Sequence, residues 1–431
     1  MSGMNRTLIV GGGASGLLVA IHLAKLATRS NLVHLAEPRE ILGQGLAYST
    51  DDGGHLLNVP AGRMSAFADD SEHFVRWTGR DSNYFAPRKD YGQYLIDTFE
   101  ELRVASRSTT FEHIRKEVDS LNLKDGKWVA RFKDGDVIEY DVVVLAMGHG
   151  KPIELASLSE IDSDKNYVSD PWRNLNVTKD GTLIGIGTGL TFIDLALSHL
   201  KRNSSNKVIG ISRNGLLPEA HLPKRAQPLP VPAAAKTSPT EMRKFIDESS
   251  DWRAAQDGVR HELPDIWHSW SVELKQEFFT NHLRWWNVHR HRVSPEIQEE
   301  VSQALNSGRL TILACEIESI EKNEGSFNLK TKSGERLIAD ALVNCLGYSA
   351  WGKDSLLGQL IDSGLAKAAP LSLGICSDFP KFNVVDENEK PHRNLFAIGP
   401  VLLGERFETT AIPELKEQAQ EVAKEVSKFV L

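Results

Sequence analysis

The chain has 431 residues, of which 41% are hydrophobic and 25% charged, with a formal net charge of −8. That length allows two or three domains with full-sized cores, while the negative balance argues against a general nucleic-acid surface. Apolar runs such as Val142–Met147 stop far short of a membrane span. The opening MSGMNRTLIVGGG has too short an apolar run for a signal peptide and reads as a first strand, so a cytoplasmic protein is expected. Cys315, Cys345 and Cys376 are odd in number and form no C-x-x-C. This argues against a disulfide framework or a dithiol redox centre, and all three read as buried small apolar residues.

Thr7–Val10 suits a strand and runs straight into Gly11-Gly12-Gly13-Ala14-Ser15-Gly16, after which Leu17, Leu18, Ile21 and Leu23 give a helical apolar side. G-x-G-x-x-G between a strand and a helix is the setting of a dinucleotide-binding turn. Gly11 allows the tight turn, Gly13 the approach of a pyrophosphate, and Gly16 close helix packing. The helix N-terminus offers N–H groups to phosphates. A second strand, Asn31–Ala36, ends in Glu37, about 20 residues past the motif, where a ribose-binding carboxylate belongs.

Ile41–Ala68 has the pattern of neither helix nor strand. So long an irregular segment in a domain is usually functional, and its small and apolar residues suit a half-buried loop against a flat ring. Ser71–Trp77 and Tyr91–Leu102 read as helices. From Glu112 a strand-rich region follows, with turns at Asp125-Gly126 and Asp134-Gly135 and an apolar strand, Val142–Leu145. The same grammar returns later: Gly126, Gly135, Asp141 and Gly148 correspond to Gly325, Gly334, Asp340 and Gly347, each 199 positions on. This is a repeated supersecondary unit, a β-meander with a strand leading back to a sheet.

The second half carries its own turn. Strand Thr182–Ile186 leads through Gly185-Ile186-Gly187-Thr188-Gly189-Leu190 into a helix, Thr191–Leu200, with Leu190 at the place of the third glycine. Its partner strand, Lys207–Ile211, ends in Ser212-Arg213 rather than an acid. Arginine there accommodates a 2′-phosphate, which points to NADP(H). Pro218 to about Thr240 is rich in proline and alanine and reads as a linker or flap. The helical stretches Glu241–Gln256 and Ser271–Val288 follow, as a cap inserted in the second half. On a continuous helix ending near Ser294, Trp285, His289 and Arg292 share a face. His289 and Arg292 are therefore the candidate catalytic residues, set against a structural account in which arginines stack on tryptophans. No carboxylate or cysteine completes a metal set there. Asn394–Gly404 reads as a strand delivering Gly399-Pro400, and Glu414–Phe429 as the last helix, whose small-residue start aims N–H groups at a ligand.

These residues resemble the bacterial FAD/NAD(P)-binding oxidoreductases, which are similar to N-hydroxylating and urate-hydroxylating flavin monooxygenases. The resemblance rests on Gly45–Tyr48, His55–Ala61, Met64-Ser65, His73-Phe74 and Trp77, then Asp170–Trp172, Gly187–Thr191 and Ser212–Gly215. Trp286 with His289–Arg292, and Gly399-Pro400 with Glu408, Ala411 and Pro413-Glu414, complete it. It implies an α/β fold of two Rossmann-like dinucleotide-binding domains, for FAD and NADP, each with a β-meander, plus a helical cap insertion.

The expected divisions are 1–170 and 310–431 for FAD, and 171–309 for NADP with the cap at about 218–300. The candidate FAD residues are Gly11, Gly13, Ala14, Ser15, Gly16, Glu37, Pro38, Asn58, Met64, Ser65, Val118, Gly399, Pro400, Glu408, Thr410 and Ala411. Those for NADPH are Gly185, Gly187, Thr188, Gly189, Leu190, Ser212 and Arg213. The expected activity is a monooxygenase using O₂ and a small polar substrate through a flavin C4a-hydroperoxide. The alternatives are a reductase passing electrons to a quinone or partner protein, and a flavin-binding regulatory or biosynthetic partner with little turnover.

Overall fold

The computed structural model describes residues 4–26, 30–161, 164–172, 179–222, 227–323 and 325–429. The first unit opens with β1 (Asn5–Val10), α1 (Ala14–Leu26) and β2 (Asn31–Ala36). The irregular segment holds one 3-10 turn, Ala61–Arg63, before α2 (His73–Thr78) and α3 (Arg88–Ala105). Strand β3 (Thr109–Ile114) precedes the meander β4 (Val118–Lys124), β5 (Lys127–Phe132) and β6 (Val137–Tyr140), and β7 (Val142–Leu145) returns to the sheet. The second unit has β8 (Tyr167–Val168), β9 (Thr182–Ile186), α4 (Leu190–Arg202) and β10 (Lys207–Ser212).

The cap follows as α5 (Pro239–Glu248), α6 (Trp252–Ser269), α7 (Val272–Glu277) and α8 (Leu283–Arg290), with one π-helical turn at Phe278–His282. Next come α9 (Pro295–Asn306), β11 (Leu310–Ala314), the meander β12 (Ile317–Asn323), β13 (Ser326–Thr331) and β14 (Arg336–Ala339), and β15 (Ala341–Asn344). The chain closes with α10 (Leu356–Asp362), β16 (Ser377–Asp378), β17 (Asn383–Val385), β18 (Pro391–Ala397) and α11 (Ile412–Phe429).

Two sheets carry the units, in the orders β16-β17-β18-β7-β1-β2-β3 and β11-β10-β9-β15-β8. In each, the strand before the glycine turn lies between the next strand and the strand returning from the meander, all parallel. β7 and β15 are buried at every residue, as strands covered on both faces are. The repeat is realised strand for strand: β4–β7 plus 199 gives the bounds of β12–β15, and the register shift at Val118/Ser120 recurs at Ile317/Ser319. A second correspondence escapes the sequence reading: α1 and β2 recur as α4 and β10 with the same lengths, 176 positions on. Among the described residues no helix is long and apolar enough to cross a membrane.

Several boundaries differ from expectation. β8, β11 and β15 belong to the second sheet, and β12–β14 form a separate three-stranded sheet between β11 and β15 in the chain, so the divisions at 170/171 and 309/310 fall inside the second unit, which takes its meander and return strand with it. The helical stretch 241–256 is two helices, because Asp251 caps a new one by accepting from the N–H groups of Arg253 and Ala254 (both 3.1 Å). The helix carrying Trp285 ends at Arg290, and Pro295 begins the next. Ser294 caps that helix through Ile297 N–H (3.3 Å), since proline suits a first helical position. The proline-rich segment has one 3-10 turn, Ala233–Lys236; its residues 223–226 lie outside the described residues. Strand β18 stops at Ala397, and Gly399–Leu402 is a 3-10 turn.

Candidate active site

The two glycine turns have the same geometry. Gly11 and Gly187 have φ of +98° and +100°, which favours glycine. A Cβ on Gly11 would meet the Ala146 carbonyl oxygen at 2.7 Å, and one on Gly187 would collide with that of Cys345. Ala146 and Cys345 are themselves 199 positions apart, so each turn rides over the end of its repeated return strand. Gly13 and Gly189 then lead into α1 and α4, whose first N–H groups have no intrahelical acceptor. Either arrangement could hold a pyrophosphate.

The third positions differ. A Cβ on Gly16 would collide with the Gly11 carbonyl, so α1 lies directly against its turn. Its counterpart is Phe192, not Leu190. The Phe192 ring lies over Gly185 and Gly210, where Cβ atoms would strike it. Gly185 therefore sits inside β9 making room for a ring, two residues before the turn proper, and not against a phosphate.

Glu37 and Arg213 occupy equivalent places after β2 and β10. The Glu37 carboxylate is buried and accepts from Gly12 N–H (3.1 Å), Arg39 N–H (3.1 Å) and the Arg39 guanidinium (2.9 and 3.0 Å). Burial pushes its pKa up, but Arg39 and the two N–H groups outweigh this and hold it below the usual range. Arg213 has no ion pair among the described residues.

A cavity of about 1010 Å³ lies where both units and the cap meet. The first unit supplies Tyr48, Asn58, Met64 and Arg88, and the second Gly187–Thr191 and Ser212–Asn214. The cap supplies Arg284, Asn287, Val288, Arg290 and His291, and the start of α11 supplies Thr410–Ile412. The remaining expected residues lie behind it. Ser15 and Gly399 touch at the α1 start, Pro38 is exposed beyond Glu37, and Val118 and Pro400 are buried. Ser65 Oγ donates to Asp70 O (2.6 Å) and accepts from Phe67 N–H (3.0 Å), which shapes the loop.

Buried polar pairs hold the walls, and sequence reading missed them because their partners are remote in sequence. Arg88 pairs with Asp194 across the two units (3.1 Å), and His55 Nε2 lies 3.0 Å from Ser198 Oγ. The cap is fixed to the C-terminal segment through Glu408, which accepts from Arg290 Nε (3.0 Å) and Trp286 Nε1 (3.0 Å). Arg260–Glu414 lies beside it, and Phe407 packs into the cap core with Trp267, Phe278 and Trp286. Burial alone would raise the Glu408 pKa, yet Arg290 above all pulls it down to about 2. His291 faces the cavity as a neutral ring, because burial and then Arg290 lower its pKa to about 4.

His289 and Arg292 do not line the cavity. His289 packs on Trp252 and Trp285 (both 4.7 Å between ring centres) and has Nδ1 at 2.8 Å from Trp285 O. Arg292 is buried over Trp252 with Asp257 at 3.3 Å. The cysteines are free, but only Cys345 is buried. Cys345 packs in the core of the second unit and Cys315 against it, and both also reach the cavity; burial raises both thiol pKa values.

Two Rossmann-type turns in one chain, the second of them opening on the cavity, define a fold with two dinucleotide-binding units. Residues 8–150 match the FAD-NAD(P)-binding family model, so the first unit carries an FAD/NAD(P)-binding domain. No curated protein matches the chain. Its fold is similar to that of Kutzneria sp. 744 ornithine N-hydroxylase, in a structure described with FADred, NADP+ and L-orn (TM-score 0.65, 14% identity, 99% of each chain covered). It is also similar to L-lysine 6-monooxygenase from Pseudomonas syringae (0.66, 15%, 100% of each). Bacillithiol disulfide reductase from Staphylococcus aureus is a more distant likeness (0.59, 13%, 99% of each). The chain therefore has the fold of flavoproteins with two dinucleotide-binding units.

Proposed function

We propose that the protein is an FAD-dependent, NADPH-using monooxygenase that hydroxylates a small polar substrate. The observation that carries this is the shared cavity, onto which the second turn, the Ser212-Arg213 corner, the first unit's loop and the start of α11 all open. The first turn and Glu37 fit FAD, and the second turn with Arg213 fits NADPH. Bound FAD supplies the redox chemistry, accepting hydride from NADPH and activating O₂. The chain's own residues bind, orient and exclude water. The α11 N-terminus offers N–H groups and a partial positive charge to an electron-rich ring. Neutral His291 can donate or accept a hydrogen bond from substrate. Arg290, its charge balanced by Glu408, gives the cavity a fixed guanidinium donor. His289 and Arg292 support this wall from behind, keeping the end of α8 in place.

The hydroxylase likeness exceeds the reductase likeness, which favours oxygen insertion over electron transfer to a quinone or partner protein. The test is NADPH oxidation in air with a panel of small amines, amino acids and polar rings. A substrate that converts peroxide release into hydroxylated product supports the reading. Full peroxide release with every compound, together with rapid quinone reduction, would favour the reductase.

A further inference from the structure

We propose that Arg284, on the cap, completes with Ser212 and Arg213 the recess for the 2′-phosphate of NADPH. This rests on the NADPH reading above. Arg284 Nη2 donates to Thr188 Oγ1 (2.9 Å), Thr188 O (3.3 Å) and Leu216 O (2.5 Å). Thr188 Oγ1 lies 2.9 Å from Ser212 Oγ, which accepts from Gly215 N–H (3.1 Å). The guanidinium is thus pinned to both flanks of the loop bearing Arg213, and both arginines line the cavity.

Charge separates these two arginines from the others in that wall. Arg88 and Arg290 are neutralised by Asp194 and Glu408. Among the described residues neither Arg213 nor Arg284 has an ion pair, and Glu316 in the same wall is held by Lys332 (2.5 Å). Burial and then the neighbouring Arg213 disfavour the charged form of Arg284. Two like charges kept together with no ion-pair partner of their own, Glu316 acting on Arg213 only from beyond ion-pair distance, favour an anion. A phosphate monoester brings about −1.5 to −2 charges. All the bonds described for Arg284 use Nη2, leaving Nε and Nη1 for a forked contact. Arg284 is bonded both to Thr188, in the turn before α4 where the pyrophosphate belongs, and to Leu216, just past the Ser212-Arg213 corner, so the two roles are separated by the titration below. Because α8 also carries Arg290 and leads into His291, a bound 2′-phosphate would fix the cap helix that closes the reaction end.

The experiment titrates the FAD-loaded unmodified protein and its R284A, R284K and R213A variants with 2′,5′-ADP, 5′-AMP, NADP+ and NAD+. The expected R284A result is at least about tenfold weaker 2′,5′-ADP and NADP+ binding. 5′-AMP, NAD+, FAD content and melting temperature should be unchanged, with R284K intermediate. Should R284A not fold, R284K alone must still weaken the 2′-phosphate ligands selectively. Equal weakening of NAD+ and NADP+ would show a pyrophosphate or structural role and overturn the proposal. Loss of 2′-phosphate selectivity in R213A but not in R284A would overturn it while leaving the NADPH reading intact. Equal binding of NAD+ and NADP+ by the unmodified protein would overturn both.

Discussion

After β2 the first unit has Glu37; 176 positions later, after β10, the second has Arg213. The turns before these residues share φ values and ride over equivalent return strands. What differs is one charge and how it is neutralised. Glu37 is satisfied from within, by Arg39 and Gly12. Arg213 has no such partner among the described residues and shares its corner with a second arginine. A duplicated backbone can thus serve two nucleotides, with selectivity set at the strand end.

The first way to break this comparison is to fill the first cradle. A Cβ on Gly13 already sits 3.3 Å from Gly45 Cα, so Gly13→Val should close the pyrophosphate approach. Purification should yield folded protein without FAD. A folded variant with full FAD would remove that turn from the site.

Next is the cap anchor, which has no counterpart in the first unit. Glu408→Ala leaves Arg290 buried and unpaired, at a cost of about 3–5 kcal/mol, read as a lower denaturation midpoint at unchanged slope. A loss under about 1 kcal/mol would mean that water already solvates the pair.

Arg213→Ala sharpens the contrast at the strand ends. A guanidinium–phosphate contact contributes about 1.5–3 kcal/mol, or roughly one to two orders of magnitude in NADPH over NADH selectivity. The variant should lose most of that by weakening NADPH while sparing NADH, as kcat/KM for flavin reduction would show.

The smallest effect concerns His291, whose folded pKa of about 4 lies below its ordinary 6.5. Its contribution to stability is complete above pH 6.5 and is lost as pH falls towards 4. Replacing it by Gln should reduce proton uptake on unfolding in that window by about one, a slope change of about 1.4 kcal/mol per pH unit. An unchanged slope would place the imidazole in contact with water.

Where the signal was local, the sequence showed the fold plainly. The first turn, both meanders and the return strands follow from glycine spacing, turn residues and a single offset. Glycine spacing alone places the second turn two residues early, because Phe192 replaces the third glycine and its compensating space comes from Gly185 and the distant Gly210. Pro295 as a stop signal predicts a helix running past Arg290, whereas here Pro295 starts the next helix. Half the cavity wall was legible, namely the second turn, Asn58, Met64, Arg213 and the α11 start. The pairs Arg88–Asp194 and Arg290–Glu408 were not, since no periodicity links partners more than 100 positions apart.

The most direct test of the central claim is rapid mixing of the NADPH-reduced protein with O₂, followed by absorbance. The account predicts reduction faster with NADPH than with NADH. It then predicts a transient species distinct from both reduced and oxidised flavin, whose decay yields hydroxylated product when substrate is present. Single-phase reoxidation with no such species, and with all the oxygen recovered as peroxide whatever the substrate, would contradict it.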